Sequence, residues 1–289
     1  RLGLAFPHSP AQGYEVLPDL GLGVVRIGAR WSALEPERGV YDFATLDHRI
    51  VPLARLGVTT FLTLEPDHPA FARHTRHVLN GTPRDMMQWA DLVTAVVERY
   101  DGDGIDDAPR LKRPLGYIQT GNEFLSPDNR SGGWRGSTGA LIALFEATYM
   151  GTRRADPDLP VVLGGITAVN ADVAVLNRTG ARFEIHEDWS ADHHFVLRPD
   201  EARRGKWAAM LRDRMFPVLS QAPHDIADVH LYGPVTRDAA RLALMEHHSG
   251  RPVISSECGG PAIDYGTPWT GHRHYAAVLE RNLATWASG

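Results

Sequence analysis

Gly116-Tyr117-Ile118-Gln119-Thr120-Gly121-Asn122-Glu123-Phe124 reads as an apolar strand that delivers an Asn-Glu pair at its C-terminal end. A second stretch, Pro252-Val253-Ile254-Ser255-Ser256-Glu257-Cys258-Gly259-Gly260, has the same build: a short strand, a glutamate at its end, and glycines to stop it. The two glutamates are 134 residues apart. In a parallel α/β barrel the C-terminal ends of all strands open on one face, so a pair so placed is expected to meet at one mouth. The rest of the chain decides whether a barrel is there to hold them.

Upstream, Leu2 to Phe6 is a first strand ended by Pro7, Tyr14 to Leu20 a brief helical segment closed by Gly21, and Gly23 to Gly28 a second strand carrying one charge, Arg26. Asp42 is placed to cap a helix with Phe43, Leu46, Ile50, Leu53 and Ala54 at helical spacing and Gly57 as its stop. Val58 to Leu64 is a β-branched third strand. Thr82-Pro83-Arg84-Asp85 reads as a helix start with Pro at its first position, and Met86, Ala90, Val93, Val97 and Tyr100 form an inner stripe. Asp101 to Pro114 is a charged loop, and the Asn122-Glu123 strand is the fourth.

Downstream, a helix from about Ser137 to Arg154 presents Leu141, Phe145 and Thr148. Pro160 to Ile166 is a fifth strand and Ile226 to Tyr232 a sixth. A helix from about Arg237 to Ser249 leads to the Glu257 strand, the seventh, and a last helix carries Tyr275, Val278, Leu279, Leu283 and Trp286. Ala171 to Glu201 and Pro261 to Arg273 read as long irregular stretches. Strand and helix alternate throughout, which calls for a parallel sheet with helices outside it. The expected fold class is α/β, a (β/α)8 TIM barrel forming one domain over residues 1–289. Seven strands are visible. The chain ends at Gly289 where an eighth is expected to begin, so the barrel is either clipped there or incomplete.

Composition narrows the partners. With 43% hydrophobic and 22% charged residues and a net charge of −5, nothing favours nucleic acid or an anionic membrane surface. No apolar run approaches the roughly 18 residues of a membrane span. The one cysteine, Cys258, allows no internal disulfide and says nothing of compartment. No leader peptide is visible, and the chain starts at Arg1 rather than Met, so location stays open between secreted and cytoplasmic.

Paired carboxylates are the equipment for cleaving a glycosidic bond, and here the sequence resembles a known group. It is similar to the clan of retaining glycoside hydrolases built on a (β/α)8 barrel, with catalytic glutamates on strands four and seven (clan A). Trp31-Ser-Ala-Leu-Glu35-Pro36-Glu-Arg-Gly39-Val-Tyr41-Asp42-Phe43, followed by Leu46-Asp47, resembles the segment after strand two in β-xylosidase-like and β-galactosidase-like members. The resemblance implies Glu123 as acid/base and Glu257 as nucleophile. It also implies that Asn122 contacts the sugar 2-hydroxyl, that His230-x-Tyr232 brings Tyr232 to the nucleophile, and that Arg26 lies beside it. His68 falls where some members place a sugar-binding histidine. The departure is the strand-eight Trp, which has no counterpart here.

The residues agree with that reading. Retention asks for one ionised and one protonated carboxyl group about 5–5.5 Å apart. The Tyr232 hydroxyl and Arg26 would favour an ionised Glu257, and the period of two puts Asp228, His230 and Tyr232 on one strand face. Trp189 and Trp269 offer rings for sugar stacking or for packing their loops. Trp31 and Phe43 read as packing, and Glu35 as a brace for its loop. Neither a cofactor nor a metal is expected. Among the fourteen histidines, His186, His193 and His194 are close in sequence, but the adjacent pair would point to opposite faces of a strand, a poor chelate. Two rivals remain: a metal-dependent barrel hydrolase and a carbohydrate-binding barrel without catalysis.

Overall fold

The structure, a computed structural model, describes residues 2–5, 13–73, 80–125, 129, 132–190, 193–259, 276 and 278–284, with backbone alone at 188–190 and 193–194. All seven expected strands are present, most of them shorter than their apolar runs. They are β1 (Gly3–Ala5), β2 (Val24–Arg30), β3 (Thr59–Glu65), β4 (Tyr117–Thr120), β5 (Val161–Val162), β6 (Ala227–Asp228) and β7 (Val253–Ile254). The main helices are α1 (Ala44–Arg55), α2 (Met86–Tyr100), α3 (Thr138–Ala155), α4 (Ala168–Arg178) and α5 (Asp238–Ser249). By packing, the chain divides into two compact units, residues 1–164 with 222–226 and residues 165–221 with 227–289.

The first unit holds a parallel sheet in the order β1-β2-β3-β4-β5. Its register sets Arg26 opposite Phe61 and Gln119 opposite Thr63. By the period of two, Arg26, Phe61, Thr63, Tyr117 and Gln119 share a face. The other face carries Val25, Ile27, Leu62, Leu64 and Ile118, all fully buried or nearly so. β-Branched and aliphatic residues there supply the core that makes the sheet stable.

α2 and α3 pack closely, for two local reasons. The Trp89 indole donates to Thr148 Oγ1 at 2.9 Å, and Thr94 Oγ1 lies 2.9 Å from the Ala90 carbonyl and 3.0 Å from that of Gly151. Gly151 lets the helices close, since a Cβ there would sit 2.5 Å from the Ala90 carbonyl oxygen and 2.9 Å from Val93 Cβ. Gly151→Ala would gain about 1 kcal/mol in helix propensity, but overpacking of a closed contact costs about 1–3 kcal/mol. Backbone cannot swing aside as a side chain can, so the clash wins. Gly151→Ala is expected to lower the denaturant midpoint with an unchanged m-value.

Several sequence readings need correction. The helix expected at Thr82 starts at Met86, because the Asp85 carboxylate caps it, accepting from the Met87 and Gln88 amides at 3.0 and 3.3 Å. Arg38 binds that carboxylate at 2.6 Å and holds it below the usual range. Thr82–Pro83 pairs with Ala72–Arg73 as a small antiparallel ladder instead. Tyr14–Val16 is a single 3-10 turn, followed closely by Pro18. α1 begins at Ala44, although Asp42 accepts the Ala44 amide at 2.9 Å as a cap would.

In the second unit β6 and β7 pair in parallel, Ala227 opposite Val253 and Asp228 opposite Ile254, with a further bridge from Leu231 to Cys258. Most of the stretch expected to be irregular, Ala171 to Glu201, is regular. α4 runs through its first part, capped by Thr167 Oγ1 on the Asn170 amide at 3.2 Å, and Ile185–Ser190 pairs antiparallel with His193–Leu197. Two helical pieces, Gly205–Met210 and Phe216–Gln221, follow, joined by a π turn at Leu211–Met215.

Residues 276 and 278–284 are helical, as the spacing of Val278, Leu279 and Leu283 predicts, but the leucines do not face inward. Leu279 and Leu283 are exposed, while Arg281 is buried. The buried carboxylate of Asp238 holds Arg281 inward at 2.8 Å. Tyr275, Trp286 and the Pro261 to Arg273 stretch lie outside the described residues.

Candidate active site

Each unit carries one of the two glutamates. In the first, β4 ends in a tight turn with Gly121 at φ 71° and Glu123 itself at φ 46°. The left-handed region is costly for any residue with a Cβ, so the surroundings must hold Glu123 there. Asn80 does part of this, donating through Nδ2 to the carbonyls of Asn122 and Gly133, each at 2.8 Å. The Gly133 amide donates to the Asn122 and Glu123 carbonyls at 3.2 and 3.1 Å. Gly132 closes the approach, for a Cβ there would fall 1.9 Å from the Asn122 carbonyl oxygen. Asn129 Nδ2 donates to Glu123 Oε2 at 2.5 Å.

Arg26 is buried on β2 and held by the shared sheet face. Its Nε donates to Thr63 Oγ1 at 3.0 Å, and one terminal nitrogen donates to Gln119 Oε1 at 2.8 Å and Asn122 Oδ1 at 3.0 Å. Thr63 Oγ1 in turn donates to Gln119 Oε1 at 2.9 Å, and Gln119 Nε2 to the Leu163 carbonyl at 2.9 Å. This fixes the Asn122 amide with its oxygen toward the guanidinium. Within its own unit, then, the guanidinium ties Thr63, Gln119 and Asn122 together.

His68 is buried, and both its ring nitrogens are engaged. Nδ1 accepts from the Ala70 and Phe71 amides at 3.0 and 3.1 Å, which puts the proton on Nε2, 3.0 Å from the Glu35 carbonyl. The ring also stacks on Phe71 at 4.0 Å. Such an arrangement braces the loop that carries His68. Glu35 is likewise a brace, its buried carboxylate accepting from the Trp31 indole, the Gly39 amide and Gln88 at 2.6, 2.8 and 2.9 Å. A third strand-end glutamate, Glu65, has its pKa raised by burial, against the pull of Arg30 at 3.4 Å.

In the second unit the Tyr232 hydroxyl donates to Glu257 Oε1 at 2.8 Å. His230, fully buried, lies with Nδ1 3.6 Å from Glu257 Oε2 and Nε2 3.7 Å from Asp228 Oδ2. Its place depends on Gly165, where a Cβ would sit 2.1 Å from Nε2. Asp228 accepts the Ser256 amide at 2.8 Å and its hydroxyl at 2.6 Å, and the Glu257 carbonyl accepts from the Leu231 amide and Ser255 Oγ, both at 3.0 Å. The strand-six face expected from the sequence therefore gathers around Glu257. Trp189 has only its backbone described, on the hairpin, and Trp269 lies outside the described residues.

Sequence reasoning passed over Gln119, Thr63, Asn80 and Asn129. A glutamine inside an apolar strand, two residues from its end, was the one usable signal. The partners of Thr63 and Asn80 lie tens of residues away and leave no local pattern, and Asn129, six residues from Glu123, belongs to no periodic run.

Strands alternate with helices along the chain, and likeness to solved structures gives it the (β/α)8-barrel fold of glycoside hydrolases. A glucosidase from Croceicoccus marinus matches with TM-score 0.65 and 16% identity over 98% of this chain and 56% of its own. A family 39 glycoside hydrolase from the gut symbiont Bacteroides cellulosilyticus WH2 matches with TM-score 0.62 and 13% identity over 99% and 54%. Xylanase 10B from Thermotoga petrophila RKU-1, in complex with xylobiose, matches with TM-score 0.56 and 13% identity over 99% and 77%. The chain thus spans little more than half the length of the first two. A family described as β-galactosidase matches residues 9–70, a segment that includes Trp31 to Phe43. No curated protein sequence matches the chain significantly. No helix among the described residues is long and apolar enough to cross a membrane.

Proposed function

We propose that the chain is one catalytic domain, a retaining hydrolase of β-linked glycosides, with Glu257 as nucleophile and Glu123 as acid/base. The observation that carries this reading is the 2.8 Å hydrogen bond from Tyr232 to Glu257 Oε1, with His230 beside the other carboxylate oxygen. A hydroxyl donor stabilises the ionised form, which attack on an anomeric carbon requires. On the acid side, Arg26 orients Asn122 so that its amide nitrogen can donate to a sugar hydroxyl. Glu123, on the neighbouring residue, protonates the leaving oxygen as the bond breaks and a glycosyl ester forms on Glu257. Glu123 then takes a proton from the incoming water, which cleaves the ester and restores the starting state. The substrate class is an oligosaccharide, polysaccharide or simple glycoside.

The test is hydrolysis of a panel of nitrophenyl β-glycosides and polysaccharides, with and without chelator, following the first-formed anomer by NMR. Release of the β-anomer, unaffected by chelator, is expected. Release of the α-anomer first would exclude retention, and binding without hydrolysis would favour a carbohydrate-binding barrel. Replacing His193 and His194 together should leave fold and activity unchanged, because adjacent histidines are poorly spaced as ligands to one metal ion. Bound zinc lost together with activity in that double variant would overturn the two-carboxylate mechanism.

A further inference from the structure

The second unit buries a charged network that the mechanism above does not use. Asp172 on α4 accepts both arms of the Arg241 fork at 2.7 Å, and Arg237 at 2.8 Å. Asp238, the first residue of α5, is shared: Oδ1 accepts from Arg241 at 2.9 Å and Oδ2 from Arg281 at 2.8 Å. Asp172, Asp238, Arg241 and Arg281 are each at most 2% exposed. Burying such ions carries a desolvation penalty that their attraction often fails to offset, so stability alone is a weak reason for the network.

What the arginines do with their remaining N–H groups is more informative. Arg241 donates to the Tyr232 carbonyl at 2.7 Å. Arg281 donates to the Gly259 carbonyl at 2.9 Å and to that of Gly233. Tyr232 ends the strand-six segment and Gly233 follows it, and Gly259 lies two residues beyond Glu257. The two guanidiniums therefore grip the backbone on both sides of the Tyr232–Glu257 hydrogen bond. Planar forks suit this task, since each can hold a carboxylate and a carbonyl in fixed directions at once.

We propose that Arg241 and Arg281, bridged by Asp238, are positioning residues that set the distance and angle of the Tyr232 hydroxyl on Glu257. They touch no substrate; they act through the backbone of the two strand exits. The catalytic consequence rests on the proposed roles of Glu257 and Tyr232, whereas the mechanical one does not.

A double-mutant cycle separates the two. Arg281→Gln and Tyr232→Phe are made singly and together, and unfolding is followed by denaturant. If Arg281 sets the pair, Tyr232→Phe should shift the folding constant about five-fold less in the Arg281→Gln background than in the parent. Additive effects would overturn the proposal, whatever the chain catalyses. On a nitrophenyl glycoside turned over by the parent, Arg281→Gln should lower kcat about 100-fold per folded molecule, with little change in KM. Arg281→Lys, which keeps the charge but not the fork, should recover less than a tenth of that loss. Full recovery by lysine, or a fall in activity matching the folded fraction alone, would also overturn it. Should Arg281→Gln fail to fold, Asp238→Asn, which leaves an acceptor for one arginine, is carried through the same cycle. A parent without glycosidase activity would sink the functional reading and leave the cycle to decide the mechanical one.

Discussion

Glu257→Ala is expected to lower kcat by about four orders of magnitude or more on every substrate, since no glycosyl ester can form without the carboxylate. The variant should fold, because the side chain is a fifth exposed and its backbone carbonyl keeps the Leu231 and Ser255 donors. Azide can enter the space left behind and attack the anomeric carbon directly, giving the glycosyl azide of inverted configuration from an activated β-glycoside. Product analysis by NMR reads the outcome. Unaltered turnover would remove Glu257 from the mechanism, and an azide product of retained configuration would give it the acid/base role instead.

Glu123→Ala should behave differently with each leaving group. General acid catalysis is worth about 10²–10⁴-fold, and that loss falls on glycosides with poor leaving groups. A dinitrophenyl glycoside needs little protonation to depart, so the first step survives. Deglycosylation, deprived of its base, becomes slow, and a burst of nitrophenolate should precede a slow steady state. Azide needs no base; it should restore turnover and yield the glycosyl azide of retained configuration. An equal loss on good and poor leaving groups, with no burst and no rescue, would exclude Glu123 as the acid.

Most of the strand scaffold was legible because each strand is a short β-branched or aliphatic run ended by a breaker, and all seven such runs carry a strand. α4 was hidden by its own composition. Ala168-Val-Asn-Ala-Asp-Val-Ala-Val-Leu-Asn-Arg178 interleaves Ala, Leu and Arg with Val, Asn and Asp, middling or poor helix formers, so propensity is weak and the Thr167 cap and the packing of its buried face help to make it a helix. The start of α2 was misplaced because Pro83 suits a first helical turn, yet the Asp85 carboxylate caps better than Thr82 could from further away.

In the site, Tyr232 and His230 were legible because a period of two is a local property of sequence. The partners of Arg26 were not, since Thr63, Gln119 and Asn122 meet it only through sheet register. The last helix shows the limit most plainly. Its leucines have the spacing of an inner stripe, but one buried aspartate fixes its rotation by claiming Arg281.

The backbone at Glu123 has a consequence for anyone selecting variants of this chain. With φ at 46°, the position is one that glycine or asparagine would occupy with less strain, by about 1 kcal/mol. A library sorted on heat resistance alone is drawn toward such replacements, and, under the acid/base role proposed for Glu123, the surviving clones would be sturdier but slow on glycosides with poor leaving groups. Under that role, durability and turnover pull in opposite directions at position 123, so a screen for a hardier version of this chain has to score both.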